Sequence, residues 1–238
     1  METKELILKK ALDMFAKSGY DSVSIRDIAK AVNIKESSIY YHFKNKQDIL
    51  DSLVEKFESH MKELTDMLQA SMSDSHNVNA FSWDWLREFY FEQYLFDTFC
   101  NQMMRFMMIE QFHNENMRML YERYLFELPH KIQTQSFMML SKLGILSEQQ
   151  AIKVSNDFFA SITMLTFKYL LNGKLTKTKK EALVKKLSHI SIECFRRIEY
   201  VKYINCRRQS GHWLLHGNSF TGKGKQRDGF GHSRRPHK

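Results

Sequence analysis

The sequence predicts an all-α protein in which a three-helix N-terminal unit is joined by a long helix to a larger helical unit. Three observations predict this class. Glycine occurs nine times in 238 residues, and only Gly19, Gly144 and Gly173 precede residue 206. Proline occurs twice. Apolar residues recur at helical spacing through most of the chain, so few positions interrupt a helix.

The first two helices are marked by their ends. The apolar face of the first, spaced i, i+3, i+4 and i+7, consists of Leu8, Ala11, Leu12 and Phe15. We expect that helix to end at Gly19, because glycine accepts the left-handed conformation of a helix C-cap. Ser24-x-x-Asp27 has the pattern of a capping box and begins the second helix.

A short third helix is predicted over residues 36–43, and a much longer one begins near Asn45 with Asp48 at its third position. The apolar stripe of this long helix is Leu50, Leu53, Phe57, Met61, Leu64 and Leu68. Polar residues over 71–79 mark the clearest internal boundary. We place one domain at residues 1–47 and a second at 48–205.

The second domain is rich in aromatic residues, with 15 of the chain's 31 between residues 81 and 137. They surround the helices instead of following one face, so those helices are expected to be buried on several sides. Pro129 predicts a break or kink. Ser147-x-x-Gln150 and Thr178-x-x-Glu181 resemble capping boxes and begin two further helices, predicted to end near residues 173 and 203.

The net charge of +9 is unevenly distributed. Residues 206–238 carry eight Lys/Arg and one Asp, so this Gly-rich tail holds about +7 and the remaining chain only about +2. We expect the tail to be disordered, either as a phosphate-binding arm or as an extension without a role. No apolar run is long enough to span a membrane and no signal peptide begins the chain, which predicts a cytoplasmic protein.

Motifs for catalysis, cofactors and metals are weak. Residues 217–224 match G-x-x-x-x-G-K but lack the following Ser/Thr, and no strand precedes them. His212 with His216, and Glu110 with His113, lack further ligands, and the three cysteines have no C-x-x-C spacing. We therefore predict no enzyme activity, no cofactor and no metal site.

Residues 24–43 have the layout of a helix-turn-helix: an apolar-periodic helix, a tight turn at Asn33, and a second helix that begins with polar residues. Asn33 is one of the few non-glycine residues that accept the left-handed conformation this turn requires. Residues 24–46 carry five Lys/Arg against two acids, as suits DNA.

At this point the sequence resembles the tetracycline-repressor (TetR, AcrR-type) family of bacterial transcription regulators. The resemblance covers residues 7–53 and is carried by FAKSGY at 15–20, SIRDIA at 24–29, IYYHF at 39–43, Lys46, and Ile49-Leu50. Two positions depart from the family. Asn33 stands where glycine is usual and Lys35 where serine is frequent, which bears on the target sequence more than on binding itself.

The resemblance implies a DNA-binding set. Ser24, Tyr40 and Lys46 are expected to bind phosphates. The residues expected to touch bases or adjacent backbone are Arg26, Lys35, Ser37, Ser38 and Tyr41. Glu36 faces outward beside them, and His42 is included although the family packs this position against the other helices.

The resemblance also implies two roles for the second domain. Its last two long helices would pair with a second subunit, through Ala151, Val154, Phe158, Ile162, Leu165, Leu187, Ile190, Cys194 and Ile198. An inducer would bind in its centre, with candidate contacts Trp83, Tyr94, Met104, Met107, Tyr121, Tyr124 and Phe159, although such Met and aromatic side chains also form ordinary cores.

The prediction is thus a homodimeric repressor that a small, lipophilic ligand releases from palindromic double-stranded DNA. Two alternatives stay open. One is a helical DNA-binding protein of the nucleoid or recombinase type, and the other is a helical small-molecule-binding domain without inducer-controlled DNA binding.

Overall fold

The computed structural model describes residues 2–73 and 87–190, and the side chains of 2–70 and 91–190. Helices and short turns account for these residues, with no strand among them, so the predicted all-α class is confirmed. The expected basic tail and the C-terminal end of the last helix lie outside the described residues.

The N-terminal unit consists of α1 (Thr3–Ser18), α2 (Ile25–Val32) and α3 (Glu36–His42). Gly19 ends α1 as predicted, but its φ of 81° and ψ of 167° place it in a region that only glycine occupies readily, rather than in the left-handed helical region. The predicted capping box of α2 is confirmed, because Ser24 and Asp27 each accept the other's backbone N–H.

The long helix α4 spans Lys46–Ser73. As predicted, Asn45 precedes it and accepts the Asp48 N–H at 2.9 Å, while the Asp48 carboxylate accepts the Lys44 N–H at 2.8 Å. All six residues of its predicted apolar stripe are at most 5% exposed. One face of α4 therefore runs through the core of both domains.

Among the described residues that follow α4 and precede residue 172 there are four α-helices: α5 (Thr98–Glu110), α6 (Glu115–Glu122), α7 (Leu128–Lys142) and α8 (Glu148–Thr166). Three π-helical segments adjoin them, namely π1 (Arg87–Leu95), π2 (Arg123–Glu127) and π3 (Phe167–Leu171). A further helix, α9, occupies residues 177–190. α7 packs along α8, where the Phe137 and Phe158 rings meet edge to face at 5.8 Å.

Pro129 does not break the helix. The chain continues from α6 into α7 through π2, where the Leu128 N–H bonds to Arg123 O, five residues back. Pro129 has no N–H to continue this pattern onto Tyr124 O. The Tyr94 hydroxyl donates to that carbonyl at 2.5 Å, so a side chain replaces the bond that proline cannot make.

The two predicted capping boxes of the second domain have different outcomes. The box at Ser147 and Gln150 is confirmed. The one at Thr178 is wrong, because α9 begins two residues earlier and the Thr176 hydroxyl accepts the Lys179 N–H at 3.3 Å. Thr176 precedes this helix and Thr178 lies in its first turn, and the pattern Thr-x-x-Glu selected the wrong one.

Candidate nucleic-acid interface

The turn between α2 and α3 has the predicted geometry. Asn33 is left-handed, with φ 61° and ψ 47°, and its N–H bonds back to Ala29 and Lys30 carbonyls of α2. Ile34 N–H also bonds to Ala29 O at 3.0 Å. The turn therefore fixes α3 against α2 without a glycine.

One face of α3 is buried and the other is open. Ile39 and Phe43 are at most 2% exposed and hold the helix on the domain core. On the open face Tyr41 is 86% exposed and Tyr40 is 52% exposed. The predicted residues Lys35, Glu36 and Ser37 are also exposed, and Ser38 and His42 are half-buried. Two aromatic side chains held in water on a seven-residue helix form an unusual surface for an unliganded domain.

Ser24 and Arg26 are exposed at the start of α2. The Ser24 hydroxyl is engaged within the capping box, where it lies 2.5 Å from the Asp27 carboxylate. This bond, followed by the bond from the Ser24 N–H, holds the pKa of Asp27 below its ordinary value. The start of α2 is therefore exposed to solvent at Ser24, and the Ser24 hydroxyl is already hydrogen-bonded within the capping box.

Lys46 is bound to the protein itself. Its Nζ donates to Tyr20 O and Val23 O, each at 3.0 Å, and lies 3.9 Å from the centre of the Tyr20 ring. An ammonium group has three N–H donors, so one remains for a phosphate. Within the fold, the hydrogen bonds of Lys46 connect the start of α4 to the loop that leads into α2.

Tyr20 is a residue of this region that sequence reasoning left without a role. Its backbone N–H donates to the Glu110 carboxylate at 2.7 Å, and its hydroxyl donates to Gln47 at 3.2 Å. Burial, and then the nearby carboxylates, raise the pKa of the Tyr20 phenol. The sequence signal for this contact was Glu110, an acidic residue on the apolar helix α5. Its spacing to His113 suggested only a weak pair of metal ligands.

The predicted ligand contacts do not all meet at one place. Tyr94, Met104, Met107 and Tyr124 are at most 3% exposed, while Tyr121 and Phe159 are half-buried. Tyr94 and Met104 line one small cavity, and Tyr124 lines a larger cleft between α4 and α6. The Tyr121 ring contacts the Phe126 ring, and the centre of the Phe159 ring lies 4.8 Å from that of the His130 ring. Trp83 lies outside the described residues.

The α4–α6 cleft has a volume of about 800 Å³. Apolar side chains lining it include Leu50, Val54, Met61 and Met117. Its charged side chains include Asp51, Glu55 and Glu58 on α4, against Lys62 and Arg123. The cleft is therefore an open groove of mixed character instead of an enclosed apolar pocket.

The predicted dimer residues on α8 are packed within their own chain. Ala151, Phe158, Ile162 and Leu165 are at most 7% exposed, and Val154 is half-buried. On α9, Leu187 is fully buried and Ile190 is partly buried. The stripe we identified from periodicity is therefore a core stripe, since periodicity marks an apolar face without saying what covers it. Cys194 and Ile198 lie outside the described residues.

Two absences hold for the residues that the structure describes. No group of three or more His, Cys, Asp and Glu side chains there is placed to hold a metal ion. None of the helices in the same ranges is both long and apolar enough to cross a membrane.

The three-helix unit, its left-handed turn and the open face of α3 define a helix-turn-helix protein. Residues 7–53 match the family described as "Bacterial regulatory proteins, tetR family". Residues 7–53 are thus similar to the N-terminal region of TetR-family regulators, as the resemblance of the motifs predicted.

Comparison with characterised proteins agrees. The chain is 37% identical over 94 residues to the biofilm operon icaADBC HTH-type negative transcriptional regulator IcaR of Staphylococcus aureus strain Newman. That match covers 40% of this chain and 46% of the relative, so the chain spans about half the length of the curated relatives it matches.

Solved structures extend the likeness of fold over most of the chain. A TetR-family transcriptional regulator from Mesorhizobium loti MAFF303099 superimposes with a TM-score of 0.56 at 15% identity, covering 82% of this chain and 95% of that one. A transcriptional regulator of the TetR/AcrR family from Aquifex aeolicus VF5 gives 0.52 at 20% identity, covering 79% and 99%. The second domain thus has the TetR/AcrR fold.

Proposed function

We propose that this protein is a DNA-binding transcriptional repressor that inserts α3 into the major groove of a palindromic operator. The observation that carries the proposal is the open face of α3, where Tyr41 is 86% exposed on a helix fixed by its neighbours. Side chains on such a face reach base edges, while cations around it bind phosphates. The relative from Staphylococcus aureus is described as a negative transcriptional regulator, which favours repression.

The DNA contacts that we propose are the predicted set. Ser37, Ser38 and Tyr41 face the groove from α3, with Lys35 at its N-cap and Glu36 and His42 beside them. Arg26 approaches from the start of α2, and Ser24 and Tyr40 contact phosphates. Lys46 binds a phosphate through its third N–H, while the other two keep their hydrogen bonds to the carbonyls of Tyr20 and Val23.

A homodimer is part of the proposal, because one recognition helix reads only ~3–5 base pairs and two that are related by a twofold axis read a palindrome. The predicted stripe on α8 is largely buried within its own chain, with Phe158 packed against Phe137 of α7. We therefore propose that the outward face of α8 contributes to the contact, since Ile152 is 42% exposed and Met164 is 62% exposed there.

Control by a small lipophilic ligand completes the proposal. α1 packs on α5, where the Phe15 and Phe106 rings stack at 5.5 Å, and α4 belongs to both domains. A ligand that favours another arrangement of α4 and α5 would change the distance between the two recognition helices and so weaken operator binding. We propose a cytoplasmic binding protein, not an enzyme.

Selection from a random-sequence duplex DNA library tests the proposal. We expect the full chain to enrich an inverted repeat whose half-sites lie about 10 base pairs apart, centre to centre. Enrichment of no sequence, with strong binding to all duplexes at low salt, would instead support the nucleoid-type alternative. Absence of DNA binding at low salt would leave the small-molecule-binding alternative.

A further inference from the structure

A small cavity lies where the π-helical segments π1, π2 and π3 of the second domain meet. Its volume is about 10 Å³, close to the smallest space that holds one water molecule. Tyr94 and Leu95 come from π1, Leu125 from π2 and Phe167 from π3. Met104, Pro129, Thr163 and Thr166 complete the lining.

The convergence of three π-helical segments on one cavity is unusual. Such segments make up well under 1% of residues in globular proteins, and they occur frequently at functional sites. Side chains donate hydrogen bonds to backbone carbonyls of these segments. The Tyr94 hydroxyl donates to Tyr124 O, and the Asn101 amide donates to Leu170 O at 3.1 Å. The widened turns are therefore a specified part of this fold.

Thr166 adds a second, independent observation. The residue is 7% exposed, and its hydroxyl oxygen has no hydrogen-bond partner within the described structure. A helical threonine ordinarily bonds the carbonyl four residues before it, as Thr65 does to Met61 O at 2.7 Å. A buried hydroxyl without a partner destabilises the fold, so the Thr166 hydroxyl is available to a polar group that enters the cavity beside it.

We propose that this cavity is the closed form of the ligand site, and that it binds an uncharged lipophilic molecule whose single polar group hydrogen-bonds the Thr166 hydroxyl. The inference rests on the proposed function and names the ligand class. None of the described side chains that line the cavity carries a charge, so an ionic ligand would lose its hydration without compensation from them. Met104, unbranched and adaptable, is the side chain that gives way as the cavity opens.

The test uses 1-octanol as a neutral probe with one hydroxyl and octanoate as its charged counterpart at pH 7. Binding to the full chain is followed by the 13C-methyl NMR signal of Met104, assigned through Met104→Leu, and by the melting temperature. Thr166→Val removes the hydroxyl and keeps the shape, while Thr166→Ser keeps the hydroxyl. Thr65→Val is the matched control, because its hydroxyl already has a partner.

We expect 1-octanol to shift the Met104 signal saturably in the wild type and in Thr166→Ser, and to bind Thr166→Val about tenfold more weakly. Octanoate should not produce the shift. Without ligand, Thr166→Val should melt about 2–4 °C higher than the wild type, and Thr65→Val lower. Equal binding of 1-octanol by Thr166→Val, equal binding of octanoate, or a lower melting temperature for Thr166→Val, as an internal water would cause, overturns the proposal.

Operator binding by the same variants separates this inference from the proposed function. If the wild type and the Thr166 variants select and bind the same palindrome while 1-octanol fails to bind, the ligand site is wrong and the repressor stands. If none of them binds DNA specifically, the proposed function has failed independently of the cavity.

Discussion

The backbone N–H of Tyr20 donates a 2.7 Å hydrogen bond to the carboxylate of Glu110, across 90 residues of sequence. Tyr20 precedes the helix-turn-helix, and Glu110 is the last residue of α5 in the second domain. Lys46 Nζ binds the carbonyl of the same tyrosine from α4. The backbone at Tyr20 is thus hydrogen-bonded to both α5 and α4. These are the two helices through which we propose that a ligand acts on DNA binding.

Glu110→Ala should lower the free energy of unfolding by about 1–3 kcal/mol, because it leaves the Tyr20 N–H without its acceptor in a partly buried place. Glu110→Gln should lose less, since its amide oxygen still accepts. Urea unfolding measures both. Glu63→Ala, at an exposed position of α4, is the control and should change little. Equal stability of Glu110→Ala and the wild type would show that the bond contributes nothing.

Gly19→Ala should be more destabilising than Gly144→Ala. Both glycines have positive φ, but a Cβ at Gly19 would lie 3.0 Å from Glu110 Oε1, whereas no described atom lies within 4 Å of one at Gly144. We expect losses of roughly 2–3 kcal/mol at Gly19 and about 1 kcal/mol at Gly144. Thermal unfolding distinguishes them, and a reversed order would refute the steric argument.

Lys46→Met should weaken both folding and operator binding. The substitution keeps the apolar stem and removes two charged hydrogen bonds, at a cost of about 1–2 kcal/mol after allowance for partial exposure. Lys44→Ala is the matched control, because Lys44 is exposed beside the same helix. It should leave the melting temperature unchanged and, where it contacts a phosphate, reduce the salt slope of binding by about one. A Lys46→Met protein of wild-type stability would assign Lys46 to DNA alone.

Tyr41→Ala should weaken operator binding by at least about tenfold with no change in melting temperature, since the side chain is 86% exposed and supports no core contact. Tyr41→Phe tests the hydroxyl separately. Met67→Ala, at an apolar position 46% exposed on α4, controls for loss of exposed apolar surface. Fluorescence anisotropy on the selected DNA supplies the measurement, and unchanged affinity of Tyr41→Ala would remove Tyr41 from the interface.

Asp27 should make folding stability depend on pH in the acid range. Its folded pKa is lowered, chiefly by the Ser24 hydroxyl, so its stabilising effect is complete above the unfolded value of about 3.9 and is lost as the pH falls through the lower folded pKa. Relative to Asp27→Asn, the wild type should lose its advantage below about pH 4. In a Ser24→Ala background that difference should largely disappear, and a pH-independent difference would contradict the assignment.

The N-terminal domain could be predicted closely from sequence because its signals are local. A cap at Ser24 and a turn at Asn33 each involve residues within one or two helical turns, and the stripe of α4 that begins at Leu50 repeats every three or four residues. The same holds for the Ser147 box. Where two local signals competed, at Thr176 and Thr178, the pattern selected the wrong residue because backbone geometry decides which threonine caps the helix.

The features that the sequence did not predict depend on contacts between distant segments. The Tyr20–Glu110 bond and the donation from Tyr94 to Tyr124 O each join different helices. The π-helical turn before Pro129 replaced a predicted break because a side chain from π1 supplied the missing donor. Similarly, Phe158 belongs to an apolar stripe, but only packing against Phe137 shows that its own chain covers it.

A footprint of the full chain on the DNA upstream of its own coding sequence tests the central claim most directly. We expect protection of two inverted half-sites about 10 base pairs apart, and we expect Tyr41→Ala and raised salt to weaken it. Uniform protection without sequence preference, or no protection at low salt, would contradict the proposal that this chain is a dimeric operator-binding repressor.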